Sequence, residues 1–217
     1  MEVLLTVMLI LHISSGFLAL ITGFLSMLNT KGGKRHRLTG KLFFAGMSGV
    51  FISATVLSIA KNNQFLLMVG FLSYYLACSG YRSLYLKKLH LKQKPKWIDW
   101  LISGTAFLFG LGFLALSTRQ FISGSLSGIV PLVFGTFCII NSIKDIRSFY
   151  IPPTEKQHWI LTHGARMGGS FAATVTAFVV VNGSLGSFSW ILWILPGVLT
   201  GIWISRLLKP YNKKAGA

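Results

Sequence analysis

The chain has 217 residues, 53% of them hydrophobic and only 12% charged, with a mean hydropathy of +0.64. Soluble domains carry about 25% charged residues, so this composition points to a bilayer. The formal charge of +17 would suit a nucleic-acid reader, but the 21 Lys and Arg fall mostly in short loops between apolar runs, which leaves no basic module to hold one.

A hydrocarbon core about 30 Å thick needs about 20 apolar residues per helix. Seven stretches meet that requirement, over 3–28, 41–60, 65–86, 97–117, 124–145, 158–182 and 189–208. They predict an all-α membrane protein, a bundle of seven transmembrane helices forming a single polytopic domain over 1–217. Met1-Glu2 leads straight into apolar residues with no basic region before them, so the first stretch reads as a retained helix and not a signal peptide. The first, third and fifth loops and the C-terminal tail, helix ends included, hold 18 of the 21 basic residues. The positive-inside rule then puts the N-terminus outside and the C-terminus in the cytoplasm.

In the first helix, His12 shares a face with Ser15, Gly16, Ala19, Gly23 and Ser26. Small residues on a spanning helix admit a second backbone or a flat ligand. The next loop sets Lys31, Lys34, Arg35, Arg37 and Lys41 around His36, with Gly32 and Gly33 permitting a tight turn. Such a cluster attracts anionic headgroups at the cytoplasmic face, or holds a particular anionic ligand.

The third helix places Tyr74, Cys78, Tyr81 and Tyr85 on one face, and the deeper Tyr74 hydroxyl needs a partner. His90, in the basic loop that follows, reads as a solvated loop residue. Asp99 stands near the cytoplasmic end of the fourth helix. The fifth carries Pro131, expected to kink it at mid-span, with Asn141 and Asp145 towards its cytoplasmic end. Cys78 and Cys138 lie within spans, so no disulfide framework is expected. In the seventh, Trp190 and Trp193 mark the outer interface, and Gly197, Gly201 and Ser205 follow at four-residue spacing, a pattern suited to packing in the bundle or to a homo-oligomer.

The sixth helix, THGARMGGSFAATVTAFVVVN over 162–182, carries the chemistry. His163, Ser170, Thr174 and Ala177 share one face with Arg166 beside them, while Gly164, Gly168 and Ala172 form a second, close-packing face. Ionisable side chains inside a span are costly and usually face the bundle interior. Arg166 sits roughly 12–15 Å from the cytoplasmic edge, too deep to reach headgroups easily. The chain's four acids are Glu2, Asp99, Asp145 and Glu155. Asp99 and Asp145 are the ones near a membrane, both shallower than Arg166. Arg166 is therefore expected to lean on carbonyls, Tyr hydroxyls or a bound anion unless a tilted helix or water brings an acid to it.

The His in helix one, the run KGGKRHRLTGK and the run HGARMGGSFAATVTAF together resemble a family of predicted bacterial integral-membrane proteins catalogued as a domain of unknown function. The matching positions are Gly33, His36, Arg37 and Gly40, then His163, Arg166, Met167 and Gly168. The resemblance implies a bacterial cytoplasmic membrane and the location of a site, with no chemistry attached.

Several chemistries drop out at this level. The chain has no P-loop, no paired carboxylates within spans and no buried acid for a Ser–His–Asp triad, and no catalytic residue is assigned. One reading is a haem b or similar redox cofactor for membrane electron transfer, with His12 and His163 as axial metal ligands and Arg166, His36 or Arg37 meeting propionates. Tyr74, Ser170 and Thr174 would line that site. Another is a transporter or channel for a small anion or proton. A zinc hydrolase on His12 and His163, or a non-catalytic assembly subunit, completes the set. The orientation has its own test: a reporter enzyme active only in the cytoplasm, fused after Ala217, should be active, and the same reporter fused before Met1 should be silent.

Overall fold

Away from water, backbone N–H and C=O groups must satisfy one another within the segment, which makes helices of apolar runs. The computed structural model describes residues 2–213, apart from the side chains of 210, 212 and 213. Seven α-helices follow one another: α1 (Glu2–Leu28), α2 (Lys34–Ala60), α3 (Gln64–Ser83), α4 (Trp97–Ile122), α5 (Ile129–Tyr150), α6 (His158–Asn182) and α7 (Trp190–Lys213). No strand occurs among the described residues. Six of the helices are long and apolar enough to cross a membrane. The exception is α3, whose apolar run is diluted by Ser73, Tyr74, Tyr75, Ser79, Tyr81 and Arg82.

Burial is inverted relative to a soluble protein. Val3, Ile10, Ile21, Leu28, Leu108, Ile122 and Val181 are exposed, whereas Ser53, Ser103, Ser117, Ser142 and Ser170 are fully buried. A water-soluble monomer rarely exposes apolar surface on this scale. With six helices of spanning length, it makes the chain a multi-pass integral membrane protein.

Several boundaries differ from the sequence reading. Helix α2 begins at Lys34, so His36 and Arg37 stand on its first turns and not in a loop. Helix α3 ends at Ser83, leaving Tyr85 off the helix, and His90 sits half-buried in a single 3-10 turn, Leu89–Leu91. Pro131 falls in the first turn of α5, not at mid-span. Its missing N–H has no intrahelical partner to lose there, so the expected kink has no cause. Helix α5 also runs on to Tyr150, more than a turn past Asp145. Lys214, part of the basic tail, lies outside the described residues.

The chain divides into two compact units, residues 1–74 and 75–217, with α3 running from the first into the second. In the first, α1 and α2 pair through small residues. A Cβ on Gly46 would lie 3.0 Å from the Ala19 nitrogen and the Ser15 oxygen, so glycine is what lets the backbones approach. The start of α3 joins them through Tyr74, whose ring stacks on Phe51 at 4.4 Å.

In the second unit α4 packs on α5 where Gly110 faces Gly135. The Cys138 thiol reaches the Ala106 carbonyl at 3.1 Å across the same contact. Helix α6 meets α7 through Gly164, opposite Leu208, and Gly168, opposite Ile204, as the spacing of small residues predicts. Gly197 and Gly201 behave otherwise: a Cβ on either would meet nothing described within 4 Å, and Ser205 is exposed. That stripe makes no close contact within the described chain.

These contacts separate two kinds of glycine. A Cβ at Gly135 would come 2.9 Å from the Gly110 carbonyl oxygen and the Phe113 Cβ, so Gly135→Ala forces backbone apart. We expect it to lower the thermal midpoint of the purified protein, at a cost of about 1–3 kcal/mol. Gly201→Ala should leave the midpoint unchanged or raise it slightly through helix propensity.

Candidate functional site

In the first unit, the residues singled out from sequence are held by local hydrogen bonds. His12 Nδ1 lies 3.1 Å from the Ser53 hydroxyl, which itself donates to the Gly49 carbonyl at 2.7 Å. With its hydrogen so committed, Ser53 accepts, and His12 donates from Nδ1. His36 Nδ1 donates to the Ser26 carbonyl at 2.9 Å, tying the start of α2 to the end of α1. Lys31 donates to the Ser26 carbonyl at 3.3 Å and to that of Met27, capping the last carbonyls of α1. Arg37 is exposed, with Lys34, Arg35 and Lys41. The Tyr74 hydroxyl finds the partner it needs in Ser48, at 3.1 Å.

The second unit holds the buried charges. His163 Nδ1 donates to the Gly80 carbonyl at 2.9 Å, pinning α6 to α3. A Cβ on Gly80 would lie 2.9 Å from the Arg166 Cβ, so this glycine is what allows α3 to approach α6. Ser170 is fully buried, and Thr174 donates to its carbonyl at 3.0 Å. His12 and His163, expected to act together, thus stand one in each unit, each hydrogen-bonded within its own.

Arg166 is 5% exposed and does have a counter-charge, contrary to expectation. Its Nη2 donates to Asp145 Oδ1 at 2.6 Å and to the Asn141 carbonyl at 2.9 Å. The Tyr75 hydroxyl donates to Asp145 Oδ2 at 2.6 Å, a short bond of the charge-assisted kind. The Tyr75 ring also faces the guanidinium, 5.2 Å from its Cζ. Arg166 Nη1, by contrast, is buried and has no hydrogen-bond partner among the described residues. A bound anion is therefore not needed to balance the charge, though Nη1 leaves two N–H donors unmet.

A narrow cleft reaches the acid of this pair. Its walls come from the end of α3 and the residues just after it, the start of α4, the end of α5 and the start of α6. Ser79, Arg82, Asp99, Asp145, His158 and Thr162 are among its lining residues. The free space, about 30 Å³, admits one or two water-sized molecules. At one wall Arg82 grips Asp99 with two bonds, Nε to Oδ1 at 2.7 Å and Nη2 to Oδ2 at 3.0 Å. The Lys96 backbone N–H adds a third at 2.8 Å, so Asp99 also caps α4.

Sequence reasoning missed Tyr75, Arg82 and His158 as parts of one polar site. Arg82, one of the helix-end cations in the orientation count, stands one residue before the end of α3. His158 lies about 140° from His163 around the helix, and it lines the cleft with Asp145. Among the described residues no three His, Cys, Asp or Glu side chains gather as a metal site, so the zinc reading acquires no third ligand. No family model, curated protein or solved structure matches the chain.

Removing one partner of a buried ion pair strands the other. Arg166→Met should therefore destabilise the protein by roughly 3–5 kcal/mol in reversible unfolding, whereas the neutral pair Asp145→Asn with Arg166→Gln should cost much less. Equal losses in the two would show that Asp145 does not depend on Arg166.

Proposed function

We propose that this integral membrane protein moves protons, or couples their movement to another solute, through the second unit. The observation that carries the reading is Asp145, a carboxylate held between helices by Arg166 and Tyr75 while lining a polar cleft beside His158. Acids and histidines inside a span commonly serve as proton relays. Water-sized room suits a proton wire better than an organic solute. The cleft's hydroxyls fit the same role: Ser79, Ser83 and Ser148 each donate to a carbonyl three residues back and are left as acceptors for water. On the orientation read from the basic residues, the cleft opens to the cytoplasm.

In this reading His158 exchanges protons at the mouth. Water against Ser79, Ser83 and Thr162 carries them to Asp145, and Arg166 holds the carboxylate ionised until a proton arrives. Tyr75, donating to the far carboxylate oxygen, fixes its orientation. Lys34, Arg35, Arg37 and Lys41 of the first unit would rest among anionic headgroups at the cytoplasmic face. The Gly197, Gly201 and Ser205 stripe is then the surface on which a second copy of the chain would pack.

Proteoliposomes with a trapped pH-sensitive dye, and the membrane potential clamped by potassium and valinomycin, test this. The wild-type protein should collapse an imposed pH gradient faster than empty vesicles, and Asp145→Asn should slow that collapse at least about tenfold, the range of a lost acid–base group. Unchanged flux in Asp145→Asn would sink the reading. A Soret band in protein freshly extracted from membranes would replace it with haem-based electron transfer through His12 and His163.

A further inference from the structure

We propose that the site takes up a small monovalent anion together with the proton, the anion binding on Arg166 Nη1. The inference rests on the proton reading above and names the second ion of that same site. It starts from the unmet donors of Arg166: the residue is 5% exposed, and the buried Nη1 bonds to none of the described residues. The Tyr75 ring faces the guanidinium but supplies no lone pair for those N–H groups. Buried donors of a charged group are costly to leave unmade, so the position suits an acceptor that comes and goes.

Charge counting supplies the coupling. With Asp145 ionised, the pair is neutral, and an added anion would leave a net negative charge where charge is costly. With Asp145 protonated, the carboxyl no longer balances Arg166, and a small anion on Nη1 restores neutrality. Of the other groups around Asp145, two leave that balance as it is. Tyr75 on α3 is a neutral donor to it, and Arg82 is already matched by Asp99 in a two-bond pair across the cleft. His158 on α6 lines the same cleft, and its protonation would favour the anion further. Linkage then requires reciprocity: a bound proton raises anion affinity by the factor by which a bound anion raises proton affinity. The cleft that Asp145 lines has about 30 Å³ free, which limits an anion entering through it to chloride or nitrate size.

Thermal unfolding of the purified full-length protein in sodium chloride, sodium nitrate or sodium gluconate of equal ionic strength, at pH 5.5 and pH 8, tests the pairing. Chloride or nitrate should raise the wild-type midpoint over gluconate at pH 5.5, by about 3–5 °C at ten times the dissociation constant, and by much less at pH 8. Asp145→Asn mimics the protonated acid, so it should keep at pH 8 the rise that wild type loses there. The Asp145→Asn, Arg166→Gln pair should show none at either. A rise that persists without Arg166, or one that is absent from wild type at pH 5.5, or one that Asp145→Asn loses at pH 8 as wild type does, would overturn the inference. In vesicles, proton flux that is equal in chloride and gluconate would overturn it while leaving proton movement intact. An anion effect in protein that moves no protons would instead sink the transport reading and leave the anion site standing.

Discussion

The contact on which the second unit turns is the ion pair between Asp145 and Arg166. Two charges removed from water lose several kcal/mol of solvation each, and only close geometry with further hydrogen bonds offsets that loss. Here the offset requires three helices to meet at one point. Helix α5 supplies Asp145 and the Asn141 carbonyl, α6 supplies Arg166, and α3 supplies the Tyr75 hydroxyl. Gly80 makes the meeting feasible, since any side chain there would collide with Arg166 and the Met167 backbone. His163 then fastens the same contact through the Gly80 carbonyl. His163 thus bonds to α3 and Arg166 meets the same helix through the Tyr75 ring, and α3 is the one of the seven helices not apolar enough for a span.

Polarity elsewhere in the interior is kept inexpensive largely by one device. Buried serines return their hydroxyl hydrogen to their own helix: Ser53 to Gly49, Ser83 to Gly80 and Ser142 to Ile139. Such bonds satisfy a hydroxyl without a partner from another helix, and they leave its oxygen as an acceptor. Polar side chains can therefore line helix contacts in a chain whose outer surface is almost wholly apolar. The same device prepares the cleft, where Ser79 and Ser148 are bonded in this way beside Asp145.

Much of this was legible in the chain. Helix number followed from apolar runs, and the α6 spacing of Gly164 and Gly168 foretold a close-packing face because small residues four apart share one; α7 is the helix that meets it. The partner of Arg166 was not legible, for two physical reasons. Ending the fifth span at Asp145 placed that acid at the membrane edge, whereas α5 continues to Tyr150 and draws it inward. Depth was also compared at the backbone, although an arginine's long stem lets its guanidinium lie a full turn from its own Cα. Tyr75 was overlooked for a related reason: the face chosen for α3 ran through Tyr74, one residue and about 100° away. Tyr74 turned out to serve the first unit, bonded to Ser48.

The two arginine–aspartate pairs of the second unit differ in a way that separates architecture from chemistry. In the pair at the wall of the cleft the aspartate is the dry partner, with side-chain exposures of 20% for Arg82 and 1% for Asp99. Both Asp99 oxygens are engaged, and the Lys96 N–H completes a helix cap, so the acid of this pair is committed to structure. In the inner pair the order reverses, with 6% for Arg166 and 12% for Asp145. Its acid reaches the cleft, while its base lies deeper with one nitrogen unbonded. A carboxylate open to water-sized traffic, backed by a cation with spare donors, can change protonation state without losing its place. The outer pair holds α3 to α4; the inner pair holds α5 to α6 and presents its acid to the cleft.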